Sequence, residues 1–142
     1  MSTSENKAVV SRFVNEIFNA GDLDAVDRLV SADFVPHSWG NTGPGPEELK
    51  KAIRRVFAGL SENRMTIEDA IAEGDRVVVR LTSHAVHSGD FMGMPGSGKA
   101  YTIGEIHIFR VRDGKVVEHW READLLGMLQ QLGAISTPAA RD

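Results

Sequence analysis

The spacing of the apolar residues changes once along the chain, close to Ser61, and this change restricts the fold more than any other feature. Up to that point, apolar side chains recur every three or four residues, as they do along one face of an amphipathic helix. Beyond it, apolar and polar side chains alternate, as they do in a strand that buries one face. Helices that precede a run of consecutive strands predict an α+β domain with a mostly antiparallel sheet.

Three helices are predicted before the change, and local signals support the start of each. Ser2 and Glu5 have the spacing of a capping box, in which two side chains satisfy free backbone N–H groups at a helix start. Asp22 is a suitable N-cap for the second helix, and Pro46 is favoured in the first turn of the third. The predicted helices cover residues 2–20, 22–30 and 46–60.

The strands are predicted from alternation and from the turns between them. A short strand at 34–37 precedes the third helix, and a four-strand meander follows it, with segments at 65–71, from 77, at 101–111 and at 116–123. A short helix at 125–132 closes the domain. We expect residues 1–133 to form a single domain and residues 134–142 to be a flexible tail. If the sheet curves strongly, the three helices cross its concave side and enclose a pocket for one small molecule.

The composition excludes several classes of function. The chain has 142 residues, the size of one domain, and no cysteine, so it can use neither disulfides nor thiolate chemistry. A net charge of −4 argues against a nucleic-acid partner, because such a partner requires a basic face. No apolar run approaches the roughly 20 residues of a membrane span, and no signal peptide is visible. These features predict a cytoplasmic protein that acts on a small molecule.

Short motifs with a recognisable pattern are spread from residue 7 to residue 133. They are FNAGD at 18–22, FVPHS at 34–38, GPEEL at 45–49, GDFMGMP at 89–95, DGKV at 113–116, HW at 119–120 and DLLGMLQQLG at 124–133. Together they resemble the SnoaL-like polyketide cyclases, or ester cyclases, of the NTF2-like superfamily. The resemblance implies an NTF2-like cone and a homodimer or homotetramer that uses no metal or organic cofactor.

The resemblance also implies a reaction. The characterised cyclases close the last ring of an aromatic polyketide by an intramolecular aldol step. We therefore expect a cofactor-independent enzyme that abstracts a proton from a small hydrophobic carbonyl compound, in an aldol-type cyclisation or in related lyase or isomerase chemistry. The alternative is a non-catalytic protein of the same fold that binds a small molecule and has lost the acid/base residue.

Two pocket residues of the family can be matched to this chain. The histidine on the fourth strand matches His107, whereas the acid/base aspartate on the last strand matches Arg121. Arginine stays protonated in proteins, so it cannot act as a general base. Asp124 lies three residues further on, where the N-cap of the closing helix is the better explanation. This departure from the family pattern keeps the binding-protein alternative open.

The turn formed by Asp113 and Gly114 decides which residues face the pocket. A three-residue loop with Gly114 in a left-handed bulge is the expected arrangement. It would pair His107 with His119, Glu105 with Arg121 and Phe109 with Val117, all on one face of the sheet. A two-residue loop would shift the register by one residue and place Trp120 beside His107 instead.

Each pocket residue has a chemical role that its side chain permits. His107 and His119 can transfer protons because the imidazole pKa lies near neutrality, and Arg121 can stabilise an enolate. Glu105 can orient Arg121 or His107. The predicted catalytic residues are therefore His107, His119 and Arg121, and the predicted substrate-binding residues are Glu105, His37, Trp39, Phe57, Met94 and Phe109.

Structural explanations compete with these roles. The two predicted catalytic histidines could be hydrogen-bonded in a polar core, and Glu105 and Arg121 could form a cross-strand ion pair. Trp120 is more typical of packing, for example at an oligomer interface. His84 and His87 have a spacing seen in metal sites, but on a strand they point to opposite faces, so no metal site is predicted.

Overall fold

The computed structural model describes residues 2–37 and 42–136 of the chain. Its helices are α1 (Thr3–Arg12), which continues as a π-helical segment (Phe13–Asn19), α2 (Asp24–Leu29), α3 (Pro46–Gly59) and α4 (Leu125–Gln131). Its strands are β1 (Val30–Pro36), β2 (Leu60–Glu73), β3 (Arg76–His87), β4 (Ala100–Arg112) and β5 (Lys115–Ala123). The α+β class is confirmed, as is the order of helices followed by consecutive strands.

Capping interactions confirm two of the predicted helix starts. Ser2 Oγ accepts a hydrogen bond from the backbone N–H of Glu5, and the Glu5 carboxylate accepts one from the backbone N–H of Ser2. Near the end of the domain, Asp124 Oδ1 accepts from the N–H of Gly127, so Asp124 is an N-cap as predicted. The first helix has close to the predicted length, but its second half widens to π-helical hydrogen bonding.

Two strands begin immediately after a helix, with no loop between them. Val30 and Leu60, which we predicted to be the last residues of helices, have extended backbones and start β1 and β2. Both are buried, Val30 pairs with Val116 of β5, and Leu60 pairs with His87 of β3. Strand pairing therefore overrides the helical spacing of these two residues.

The strands form a single five-stranded sheet in the order β1-β5-β4-β3-β2. The four consecutive strands from β2 to β5 pair antiparallel, as in the predicted meander, whereas β1 pairs parallel with β5. The N-terminal helices cover the inner face of this sheet, where Phe13 and Ile17 pack with Phe109. The opposite, outer face carries most of the exposed polar side chains of the strands.

Two apolar clusters on the inner face leave a polar gap between them. The larger cluster joins the first helices to the sheet and includes Phe109 of β4, and the smaller cluster joins the sheet to α4 and includes Ile103 of β4. Because side chains alternate along a strand, Glu105 and His107 occupy the inner positions between these two residues. Helices α1 and α2 therefore bury one end of the strands and α4 buries the other, α3 contacts both clusters, and the middle of β4 is left for a site.

The hairpin between β4 and β5 has a different register from the predicted one. Asp113 and Gly114 form a two-residue turn and both have positive φ, 51° and 76°, as a type I′ turn requires. A bulge on β5 then adds one residue, Val117, to that strand. Beyond the bulge, Phe109 pairs with His119 and His107 pairs with Arg121. The predicted pairs of His107 with His119, of Glu105 with Arg121 and of Phe109 with Val117 are therefore wrong.

The shorter turn and the bulge have opposite effects on which face of the sheet the β5 side chains point to, so the two effects cancel. A two-residue turn alone would have turned Trp120 towards His107, but the extra residue of the bulge restores the expected alternation. Trp120 consequently lies on the outer face, where it stacks on His37. The four predicted polar pocket residues share the inner face: Glu105, His107, His119 and Arg121.

Within the described residues, no helix is long and apolar enough to cross a membrane. Helix α4 ends before Gly133, which has a positive φ of 76°, a common helix-terminating conformation. Of the predicted flexible tail, residues 137–142 lie outside the described residues, as does Trp39 of the predicted loop after β1.

Candidate functional site

A cavity of about 390 Å³ opens between the two apolar clusters. Its volume suits one small organic molecule. Its apolar lining residues come from both clusters and from the loop after β3: Phe18, Val56, Leu60, Met65, Phe91, Met92, Leu125 and Met128. Its polar lining residues are Asn63, Arg64, Ser83, Tyr101, Glu105, His107 and Arg121. The cavity is therefore mostly apolar, with polar groups concentrated on the inner face of the sheet.

A continuous chain of hydrogen bonds crosses the inner face beside this cavity. Oε1 of Glu105 accepts from Nε of Arg121 at 2.7 Å and lies 2.9 Å from Nε2 of His107. On its other side, Nδ1 of His107 lies 2.8 Å from Nε2 of His119. An ionised Glu105 fixes the tautomer of His107, because the carboxylate can only accept and Nε2 must therefore carry the proton. With both imidazoles neutral, Nδ1 of His107 then accepts from Nε2–H of His119.

The ionisation of this chain follows from its surroundings. Burial raises the pKa of Glu105, but the hydrogen bonds from His107 and Arg121 outweigh it and lower the pKa to about 2. Burial lowers the pKa of His107, although Glu105 partly opposes this effect. The hydrogen-bond chain at neutral pH therefore holds one carboxylate, one guanidinium and two neutral imidazoles, so the net charge of these four residues is zero.

His119 lies behind His107 and not in the cavity wall. Its side chain is fully buried, and burial together with the neighbouring His107, Arg121 and His37 holds the pKa of His119 well below its usual value. The ring of Phe109 stacks on both imidazoles, with its centroid 4.5 Å from that of His119 and 5.9 Å from that of His107. His119 and Phe109 therefore hold His107 in place from the core.

The structure brings together some of the predicted site residues and separates others. Glu105, His107 and Arg121 line the cavity, whereas His119 and Phe109 form the layer behind them. Phe57 packs against the larger apolar cluster beside Gly21. Met94, which was predicted to bind the substrate, is not among the residues that line the cavity. Its backbone carbonyl oxygen lies 3.2 Å from Nε2 of the buried His87.

His37 lies on the outer face of the sheet, away from the cavity. Its Nε2 is 2.8 Å from Oε2 of Glu118, and its ring stacks on Trp120 at 4.7 Å between centroids. The guanidinium of Arg76 lies over the same indole ring at 5.2 Å. This packing agrees with the structural interpretation of Trp120 and gives His37 a role at the end of β1, where the strand pairs with β5.

Four polar residues of the cavity wall were not predicted from the sequence: Asn63, Arg64, Ser83 and Tyr101. Tyr101 and Ser83 are buried, with exposed fractions of 6% and 4%. The signal for Tyr101 was present, because it lies four residues before Glu105 and therefore on the same face of β4. Alternation along β3 also places Ser83 on the inner face, but its position between Tyr101 and Glu105 depends on the register between β3 and β4.

The side chains of His84 and His87 have separate partners. His84 Nδ1 is 3.1 Å from Thr102 Oγ1, and His87 Nδ1 is 3.1 Å from Ser97 Oγ in the loop after β3. In the part of the chain that the structure describes, no three His, Cys, Asp or Glu side chains are grouped so that they could hold a metal ion.

Comparison with known proteins agrees with this architecture. The sequence profile of the SnoaL-like polyketide cyclase family matches residues 8–132. The aklanonic acid methyl ester cyclase DauD of Streptomyces sp. strain C5 is 32% identical over 134 residues, which cover 88% of this chain and 80% of that protein. The nogalonic acid methyl ester cyclase of Streptomyces nogalater is 31% identical, over 82% of this chain and 89% of that protein.

Solved structures show the same fold. TsrD from Streptomyces laurentii superposes with a TM-score of 0.87 at 30% identity, over 95% of this chain and 99% of that one. A SnoaL-like protein from Jannaschia sp. CCS1 superposes with a TM-score of 0.85 at 26% identity, over 94% of each chain.

An α+β cone with an apolar cavity and a polar wall defines the protein as an NTF2-like domain. The family match over nearly the whole length makes the assignment more specific. This chain belongs to the SnoaL-like polyketide cyclase family.

Proposed function

We propose that the protein is a cofactor-independent polyketide cyclase that closes a ring by abstracting a proton next to a carbonyl group. The observation that carries the proposal is a buried carboxylate, Glu105, that lines the cavity and accepts from both an imidazole and a guanidinium. Its named relatives are cyclases of polyketide methyl esters, which favours an aldol-type cyclisation over the binding-protein alternative.

Glu105 is the group best placed to take the substrate proton. Among the described residues, both of its hydrogen bonds reach Oε1, and a carboxylate has further lone pairs on Oε2. His107 also lines the cavity, but its Nδ1 lone pair points to His119 and its Nε2 proton points to Glu105. We therefore assign proton transfer to Glu105 and His107 as one coupled pair, with the carboxylate as the direct acceptor.

Arg121 allows a carboxylate with such a low pKa to act as a base. Before the reaction the guanidinium faces the negative charge of Glu105. When the proton moves to Glu105, the negative charge moves to the enolate oxygen, which Arg121 can hold in place of the carboxylate. One negative charge faces the guanidinium throughout, so the proton transfer separates no new charge. The arginine that replaces the family aspartate thus has a function without being a base.

His119 serves as a positioning residue in this proposal. It does not line the cavity, and its Nε2 bonds to Nδ1 of His107. It therefore keeps the other imidazole nitrogen, Nε2, directed at Glu105.

The test uses aklanonic acid methyl ester and nogalonic acid methyl ester as probes. In ordinary buffer, the wild-type protein should convert a probe to a cyclised isomer of unchanged mass, which mass spectrometry detects. In deuterated buffer, it should also exchange the acidic C–H protons of the probe for deuterium, which NMR detects. Tight binding without exchange or cyclisation would contradict the proposal and support the non-catalytic binding protein.

We also propose that the protein is a homodimer or homotetramer in the cytoplasm. The outer face of the sheet exposes Ile106 and Ile71, 51% and 65% of whose surface is accessible, and an isologous contact through this face would bury both. Sedimentation analysis should give a dimer or tetramer that Ile106→Glu weakens. A monomer at all concentrations would contradict the proposed assembly.

A further inference from the structure

A second polar group on the cavity wall takes no part in the hydrogen-bond chain of Glu105. It consists of Tyr101, the single tyrosine of the chain, and Ser83. Both side chains are buried and both line the cavity. Ser83 pairs with Ile103 across β3 and β4, so it lies between Tyr101 and Glu105 on the inner face.

The surroundings of the two hydroxyl groups are apolar. Tyr101 belongs to the smaller cluster, where Leu60, Ala85 and Met128 are its neighbours. Ser83 is the inner-face residue of β3 next to Ala85, which pairs with Tyr101, and Ser83 lowers the pKa of Tyr101. A buried hydroxyl in such a place is costly unless it has a hydrogen-bond partner. A pair of hydroxyls on the wall of an apolar cavity therefore points to a polar atom of the ligand.

The charges in the site keep Tyr101 in the form that can donate a proton. Burial and the negative charge of Glu105 raise the pKa of Tyr101, and together they outweigh Ser83 and Arg121, which lower it. Glu105, in contrast, stays ionised because its pKa is about 2. The cavity thus holds a base and an acid whose pKa values are pushed apart, which is a common arrangement in acid/base catalysis.

An aldol closure needs both groups, because it involves two carbonyls of one molecule. Resting on the proposed function, we infer that Tyr101, aligned by Ser83, donates a proton to the carbonyl oxygen that becomes the alcohol in ring closure. Glu105 takes the proton from the carbon next to the first carbonyl, and the enolate carbon forms a bond to the carbon of the second. The electron pair of that C=O bond moves to its oxygen, which takes the phenol proton. The proton on Glu105 then restores the phenol through water, so no proton is gained or lost.

The spacing of the two groups restricts the class of substrate. Four residues along a strand separate the backbones of Glu105 and Tyr101 by about 13 Å. A substrate with a single carbonyl offers no second carbonyl oxygen to take the proton of Tyr101. The geometry therefore favours a polyketide that carries an enolisable carbonyl at one end and a ketone or aldehyde several carbons away.

The test separates enolisation from ring closure with aklanonic acid methyl ester as the probe. Tyr101→Phe should leave deuterium exchange at the acidic C–H position close to the wild-type rate, because Glu105 and Arg121 are intact. Cyclisation should fall about 100-fold or more, as expected for loss of a general acid. Ser83→Ala should lower cyclisation less and also retain exchange. Thr102→Val, which removes a hydroxyl from the outer face of the same strand, should change neither rate.

Three other outcomes would contradict the role of Tyr101 or the proposed function. Cyclisation by Tyr101→Phe at the wild-type rate would remove Tyr101 from the mechanism and leave the proposed function standing. Equal loss of exchange and cyclisation, in a variant with wild-type circular dichroism, would also overturn the inference, because Tyr101 would then act before ring closure. Absence of exchange in the wild-type protein would overturn the proposed function together with this inference.

Discussion

His107 and Arg121 lie directly opposite each other across β4 and β5, and their nitrogens converge on one oxygen of Glu105. This arrangement depends on the bulge at Val117, because without it a different residue of β5 would face His107. The two donors together lower the pKa of Glu105 to about 2 despite its burial. The pairing of His107 with Arg121 therefore keeps Glu105 ionised.

The first prediction concerns Glu105 itself. Glu105→Gln keeps the shape of the side chain but removes the charge and the proton acceptor, so we expect cyclisation and C–H exchange to fall about 100-fold or more. The free energy of unfolding should fall by about 1–3 kcal/mol, because Arg121 loses its charged partner. Steady-state kinetics and urea unfolding measure the two effects.

Glu122→Gln is the matched control for this substitution. Glu122 lies on β5 with an exposed side chain, and it pairs with Ile106 on the outer face. The same chemical change at this position should leave both rates unchanged. If Glu105→Gln were as active as Glu122→Gln, Glu105 would not be the base.

The second prediction separates positioning from substrate contact at His119. His119→Leu has a similar volume but cannot donate to Nδ1 of His107, so kcat should fall while KM stays close to the wild-type value. The unsatisfied His107 nitrogen should also lower the free energy of unfolding by about 1–3 kcal/mol. His119→Gln, which offers an amide N–H at a similar reach, should recover part of both losses. An unchanged kcat in His119→Leu would show that His107 needs no support from His119.

The third prediction is a loss of stability in mild acid. The pKa values of His107 and His119 are lowered in the folded protein, so the unfolded chain binds protons below pH 6.5 that the folded protein does not bind. The free energy of unfolding should therefore decrease between about pH 7 and about pH 5. A second decrease follows as the pH falls from 4.5 towards 2, because Glu105 resists protonation only in the folded protein.

Urea unfolding across this pH range provides the measurement. His119→Leu removes one of the two histidines and should show a shallower decrease above pH 4.5 than the wild-type protein. Thr102→Val, a substitution on the outer face that removes no titratable group, should keep the wild-type slope. A stability that does not change over the first interval would contradict the burial of two neutral imidazoles.

The helices could be predicted from the sequence because their signals are local. Ser2 with Glu5, Pro46 and Asp124 mark helix starts through contacts within one turn, and each mark agrees with the structure. The starts of β1 and β2 could not be predicted in this way. Val30 and Leu60 continue the spacing of the preceding helices, and only their pairing with distant strands makes them extended.

The sequence predicted which polar residues share the inner face, but not which of them line the cavity and which lie behind its wall. Alternation along β4 and β5 placed Glu105, His107 and Arg121 on one face, and this holds because the turn and the bulge compensate. Alternation does not indicate which residue lines the cavity and which lies behind it. His119 lies in the layer behind the wall, whereas Tyr101, with the same alternation as Glu105, lines the cavity.

The last prediction concerns the loop that closes one side of the cavity. The carbonyl oxygen of Gly59, the last residue of α3, accepts from the N–H groups of Ser88 and Gly89, and a methyl group on Gly59 would overlap the Asp90 carbonyl and Cβ of Phe91. Gly59→Ala should therefore displace Phe91 from the cavity wall and lower the free energy of unfolding by about 1–3 kcal/mol.

The kinetic effect of Gly59→Ala should appear mainly in KM, because Glu105 and Arg121 lie on strands that do not move with the loop. Gly104→Ala is the control, since a methyl group there would meet nothing within 4 Å and would point to the outer face of β4. We expect this control to have wild-type kinetics and stability. If the two variants behaved alike, the loop would be free to adjust, and its close contact with α3 would not hold Phe91 against the substrate.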